Sequence, residues 1–220
     1  MTQTATTRAT SVGSPVESTR RRDKRRAILD AAAPVFGELG YERASVDAIA
    51  ASARVSKPTI YSYFGNKEQL FRESVADSAN RLNEDAREAV RTLVISEKSW
   101  RRSLDQMGCA LTACHRSECA VALNRLVNAE MARDPEVALA VRRAGYEPIV
   151  EALAGRLAML SNKGLLKIEE PLTAARQFIA LTQAEIADLT ELGTVTVSDA
   201  AVRRAVAAGV EVFVRAYAVS

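Results

Sequence analysis

The chain has 220 residues, 48% hydrophobic but only 5% aromatic, which suits one or two packed domains with a core of Ala, Leu and Val. A formal net charge of +3 hides an asymmetry: residues 1–72 carry 12 Lys/Arg against 7 Asp/Glu and residues 73–220 carry 18 against 20, so a polyanionic partner is expected near the N-terminal end. No apolar run approaches the roughly 18 residues that span a bilayer and the N-terminus lacks the apolar stretch of a signal peptide, so the expected location is the cytoplasm, with no membrane partner.

Residues 1–19 are rich in Thr, Ser and Ala without hydrophobic period and read as a disordered arm. Arg20, Arg21, Arg22, Lys24, Arg25 and Arg26 form a basic cluster at the start of a helix, either solvated or, the preferred reading, lying along a phosphate backbone. That helix is expected from Asp23 to Leu39, with Ile28, Ala31, Ala32, Val35, Phe36 and Leu39 facing inward and Gly40 ending it. Tyr41 follows as a plug between helices, and Pro34 predicts a kink near Ala31 to Ala33.

Ser45 to Phe71 reads as two short helices joined by a tight turn and followed by a third. Val46, Ile49 and Ala50 make the inward face of the first, capped by Ser45; Ser56 caps the second, with Pro58 in its first turn and Ile60 and Phe64 inward. The other face of this second helix carries Lys57, Thr59, Tyr61 and Tyr63, a cation and three hydroxyls, as a helix that reads DNA requires.

Ile49-Ala50, Val55-Ser56, Thr59-Ile60-Tyr61-Ser62-Tyr63-Phe64 and Lys67-Glu68-Gln69-Leu70 together resemble the helix-turn-helix of the tetracycline-repressor (TetR) family. The resemblance implies that Lys57 and Thr59 meet base edges and that Tyr61, Tyr63 and Lys67 meet phosphates; Ser45, Arg54 and Ser56 complete the candidate DNA-facing set. Arg54 departs from the pattern, since the family's turn usually has Gly there and a side chain at positive φ costs roughly 1 kcal/mol or more. Either the turn is reshaped or Arg54 reaches a phosphate.

From Lys67 a long helix with Asn66 as N-cap continues through Leu70, Phe71, Val75, Leu82, Ala86 and Leu93 into a second domain. Helices follow over Lys98–His115, Cys119–Met131, a long Pro135–Ser161 segment that Pro148 bends, Pro171–Leu192 stopped by Gly193, and Ser198–Tyr217; Asp134-Pro135 and Asn162-Lys163-Gly164 are breaks, and Leu165–Ile168 is irregular. Leu126–Glu130, Asp134-Pro135, Gly164, Leu166 and Ala174–Phe178 resemble the C-terminal domain of AefR-like members of the same family. The expected fold is all-α, with a disordered arm at 1–19, a three-helix helix-turn-helix DNA-binding head at 20–66, and a helical effector-binding and dimerisation bundle at 67–220.

In the last helix Ala201, Ala205 and Gly209 stand four apart, so a two-fold mate's backbone could approach there, the alternative being that this stripe is internal core. The resemblance implies a small-molecule effector among the central helices. Trp100, Met107, Leu111, Cys114, Leu126 and Phe178 are its candidate apolar contacts and Asn124, Asn128 and Gln183 its candidate polar ones, each with core packing or solvation as the plain alternative. Cys109, Cys114 and Cys119 are five apart, so each step turns a helix by about 140° and the three cannot converge. With His115 the only histidine, no metal site and no cofactor is expected, and any redox role depends on thiolate character. Catalytic motifs are absent too: no Gly-rich phosphate loop, no His-x-x-x-His and no Gly-x-Ser-x-Gly. The expected function is a DNA-binding transcriptional repressor, a homodimer on a palindromic double-stranded operator, released by effector; the competing reading is a helical protein-interaction module without DNA binding.

Overall fold

A computed structural model describes residues 15–92, 95–112, 117–191 and 195–219, so Leu93, Cys114, His115, Leu192 and Gly193 lie outside the described residues. Among the described residues the architecture is all-α. The elements are α1 (Pro15–Arg43), α2 (Val46–Ser52), α3 (Lys57–Phe64), α4 (Lys67–Thr92), α5 (Trp100–Thr112), α6 (Glu118–Met131), α7 (Pro135–Val141), a π-helical turn (Arg142–Tyr146), α8 (Glu147–Asn162), α9 (Pro171–Leu189) and α10 (Asp199–Tyr217).

The first helix begins at Pro15, inside the stretch expected to be disordered. Proline fits a first turn because its missing N–H has no partner there, and Glu17 complements the positive end of the helix. Helical backbone angles run on through Pro34; the interruption falls at Gly40, whose φ of 71° turns the chain toward Tyr41.

The head's core follows the expected inward faces: Ile28, Phe36, Ile49, Ile60, Phe64, Leu70 and Phe71 are buried together, with Leu29 as a further buried member. Phe71 anchors it, taking Phe36 edge-on at 5.0 Å and Tyr41 at 5.3 Å between ring centres.

In the bundle, Leu104, Met107, Leu111, Leu153, Leu157, Phe178 and Phe213 form the second core, with Phe178 perpendicular to Phe213 at 5.1 Å. The Pro135–Ser161 segment runs as one helical stretch, with a π turn between α7 and α8. Pro148 lacks an N–H and its ring crowds the carbonyl four residues back; the chain ahead of it takes the wider π register, the Glu147 N–H donating to the Arg142 carbonyl. Leu165–Ile168 pairs with the chain end: Lys167 N–H donates to the Tyr217 carbonyl at 2.7 Å, beside an isolated antiparallel bridge from Leu166 to Ala218.

The small-residue stripe of α10 faces inward, which corrects its reading as the mate surface. Ala205 and Gly209 are buried, and a Cβ on Gly209 would stand 2.7 Å from Thr182 Cα and closer still to the Leu181 carbonyl. The close approach is thus to α9 of the same chain. What α9 and α10 leave outside is another set of apolar side chains, Leu172, Leu189 and Val212.

Candidate nucleic-acid interface and effector cavity

Side-chain caps set the reading helix. Ser45 Oγ accepts from Asp47 N–H at 3.2 Å to start α2, and Ser56 Oγ accepts from Thr59 N–H at 3.2 Å to start α3. Between them Arg54 sits at φ 54°, so the turn keeps its left-handed residue without a glycine. Of the two alternatives the sequence leaves open, the turn is therefore not reshaped, and the exposed Arg54 side chain stands beside the start of α3.

On α3, Lys57 pairs with Asp47 at 2.9 Å, and the Asp47 carboxylate, by hydrogen bond and charge, holds the Lys57 ammonium above its usual pKa. The pair is exposed, so it is worth little and yields readily to a stronger anion. The Thr59 hydroxyl shares a hydrogen bond with Ser56 Oγ at 2.8 Å. Tyr61 is exposed and Tyr63 is half-buried, with Arg21 of α1 over its ring at 5.7 Å. Pro58 and Ser62 are also exposed beside Tyr61, a spacing of three and four that marks one helix face; the sequence reading left both out.

At the start of α4, Asn66 Oδ1 caps by accepting from Gln69 N–H at 2.7 Å. Lys67 lies half-buried, its ammonium 4.6 Å from the centre of the Tyr41 ring and donating to the Glu42 carbonyl at 3.2 Å. In the basic cluster Arg25 pairs with Glu73 and Arg26 with Asp77, both acids on α4, and the whole cluster from Arg20 to Arg26 is exposed.

A latch joins this head to the bundle at the turn between α6 and α7. The buried Asp134 accepts from Arg72 twice, at 2.7 Å from Nε and 2.8 Å from Nη2, and also caps α7 by accepting from Glu136 N–H at 3.2 Å. Chiefly through the Arg72 hydrogen bonds, its carboxyl is held below the usual pKa. The neighbouring Arg133 stacks on the Tyr41 ring at 3.9 Å and pairs with Glu130 at 3.0 Å. Tyr41 therefore meets two cations, Lys67 from the start of α4 and Arg133 from the turn between α6 and α7, while burial raises its own pKa.

A cavity of about 210 Å³ lies inside the bundle against α4, with Asn83, Asn124, Arg142, Tyr146 and Gln183 among its polar walls. Of the apolar residues expected at an effector, Leu111 lines it; Met107 and Phe178 are buried in the core, and Trp100 is half-buried against that core. Leu126 lines a different cavity, Asn128 is exposed, and Cys114 lies outside the described residues. The π turn forms one wall and packs closely on α4: a Cβ on Gly145 would stand 2.9 Å from Asn83 Nδ2 and 3.3 Å from Ala79 Cβ. Such turns often mark sites of function.

Comparison with known proteins decides the family. The profile of the bacterial regulatory proteins of the tetR family matches residues 28–74, and that of the AefR-like transcriptional repressor C-terminal domain matches residues 102–219. The chain belongs to the TetR family of transcriptional regulators. A TetR-family protein from Mesorhizobium loti MAFF303099 superposes with a TM-score of 0.78 at 30% identity, over 91% of this chain and 99% of that one. The flavonoid-responsive regulator FrrA gives 0.73 at 27% identity, over 90% and 98%. Among curated relatives, the helix-turn-helix regulator YhgD of Bacillus subtilis (strain 168) is 34% identical over 82 residues, 37% of this chain and 43% of that protein. The chain spans less than half the length of the curated relatives it matches. Membership places it among DNA-binding regulators rather than enzymes, and no described helix is long and apolar enough to cross a membrane.

Proposed function

We propose that this TetR-family regulator is a cytoplasmic repressor that grips a palindromic operator as a homodimer and lets go when a small molecule enters the bundle. The observation that carries the reading is the outer face of α3, where Lys57, Thr59, Tyr61 and Ser62 stand on a helix whose start is fixed by the Ser56 cap. One head is too small to specify much DNA, so two recognition helices about one turn of duplex apart, roughly 34–36 Å, would share a two-fold site. The outward apolar residues of α9 and α10, Leu172, Leu189 and Val212, supply the surface for the mate. In this mechanism an effector in the central cavity favours a bundle shape in which α4 carries the heads out of step with the duplex. A differential affinity of about 3–5 kcal/mol for the two shapes would move the population from mostly bound to mostly released, and operator DNA would weaken effector binding by the same factor.

Selection from a randomised duplex pool, followed by gel shift and ultracentrifugation, tests the reading. A two-fold enriched sequence bound by a dimer is expected. Failure to enrich any sequence would favour the helical protein-interaction module instead.

A further inference from the structure

A second, more apolar cavity of about 350 Å³ lies outside the bundle, between α1, α4 and α6. Its wall on α1 is made by Ala33, Pro34 and Gly37, and a Cβ on Gly37 would meet nothing within 4 Å. Leu82 of α4 and Leu123 of α6 line both this cavity and the central one, so two half-buried leucines form the partition. The central cavity alone falls below the range of about 300–1,000 Å³ typical of ligand pockets, and a ligand of ordinary size needs an extension. A change of rotamer at Leu82 or Leu123 would supply one by joining the two cavities.

The two chambers differ in chemistry. The inner one offers the amides of Asn83, Asn124 and Gln183, together with Arg142, whose pair with Glu147 is a loose 3.6 Å. The outer one is walled mainly by apolar carbon, its cation Arg81 being already paired with Asp77 at 2.8 Å and with Asp30, and among the described residues no Asp or Glu lines either chamber. We propose that the chambers form one site for an elongated amphiphile bearing a single carboxylate. The acid sits among the inner amides and Arg142, and the chain passes between Leu82 and Leu123 to touch α1. The ligand then bears directly on a helix of the DNA-binding head, not only on α4. This rests on the central cavity being the effector site.

Calorimetry with decanoate, butanoate and decylammonium on the full chain tests it. Each methylene that passes the leucine pair adds roughly fourfold in affinity, so decanoate binds far more tightly than butanoate. Gly37→Leu, on a helix that tolerates leucine better than glycine, and Ala122→Phe, a second plug on α6, each fill the outer chamber. Both remove most of decanoate's advantage and leave butanoate unchanged, whereas Gln183→Leu weakens both acids alike. If both plugged variants bind decanoate as the wild type does while Gln183→Leu weakens it, the two-chamber site is wrong and the central site stands. If decanoate binds and Gln183→Leu changes nothing, the central site itself is wrong. Decylammonium binding as well as decanoate, or no decanoate binding at all, overturns the carboxylate class.

Discussion

Replacing Asp134 by Ala removes the latch between head and bundle. The change deletes two charge-assisted hydrogen bonds to Arg72 and the cap on α7. Hydrogen bonds to charged groups contribute about 1.5–3 kcal/mol and a cap about 1 kcal/mol. The Arg72 side chain is 30% exposed, so its guanidinium rehydrates and the larger loss of a stranded buried charge is not reached. The expected cost is about 3 kcal/mol, which in a chain of this size lowers Tm by about 6–12 °C. Asp134→Asn keeps the cap and should lose about 1 kcal/mol less. Because Arg72 holds the Asp134 carboxyl below its ordinary pKa, the unfolded chain takes up this proton more readily than the folded one. The stabilisation is therefore complete above the unfolded carboxylate range, about pH 4, and is lost as pH falls through the lower folded pKa. Calorimetric melts of wild type and Asp134→Asn from neutral pH downward should converge in acid. An Asp134→Ala melt within about 2 °C of wild type, or a gap that stays constant into acid, would refute the reasoning.

Gly209→Ala should destabilise the fold by about 3 kcal/mol, because the added carbon meets the backbone of α9 at Leu181 and Thr182; denaturant unfolding measures it. Val212→Asp, on the outward face of α10, should instead leave the monomer's melting near wild type and shift ultracentrifugation from dimer to monomer. Arg54→Gly should relieve a left-handed side chain and stabilise by about 1 kcal/mol, and a simultaneous uniform loss of DNA affinity would assign Arg54 to a phosphate. Lys57→Ala should change the selected base at one operator position by roughly tenfold in preference, whereas Tyr61→Phe should weaken all sequences alike; unchanged selection by Lys57→Ala removes that residue from base reading.

The helix starts were legible because capping is short-range chemistry: Ser45, Ser56, Asn66 and Ser198 each accept from an N–H two or three residues on. What a stripe packs against is not local. Ala205 and Gly209 read the same whether the backbone they admit belongs to α9 or to a second copy, and only the fold decides for α9. The effector candidates divide on the same ground: Met107 and Phe178 fill a core, whereas Leu111, Asn124 and Gln183 line a cavity, which forms where several elements leave room. Leu111, Asn124 and Gln183 come from three helices and no periodicity joins them. Asp134-Pro135 was readable as a break, but its partner Arg72 lies 62 residues earlier, beyond the reach of any helical spacing.

These placements converge on α4, which meets all three working parts. Its first turn carries Lys67 against Tyr41, its next holds Arg72 to Asp134, and its middle offers Ala79, Leu82 and Asn83 to the central cavity. Residues 67 to 83 of a straight helix span about 24 Å, and a packed helix passes a displacement along its length rather than absorbing it. The latch sets what such a displacement must overcome, since α4 cannot move relative to the turn between α6 and α7 while Asp134 holds Arg72 on both oxygens. In the proposed mechanism an effector must therefore either carry that turn along with α4 or break the pair. A latch-free Asp134→Ala protein should respond to effector with less discrimination between its two shapes even where it still binds DNA.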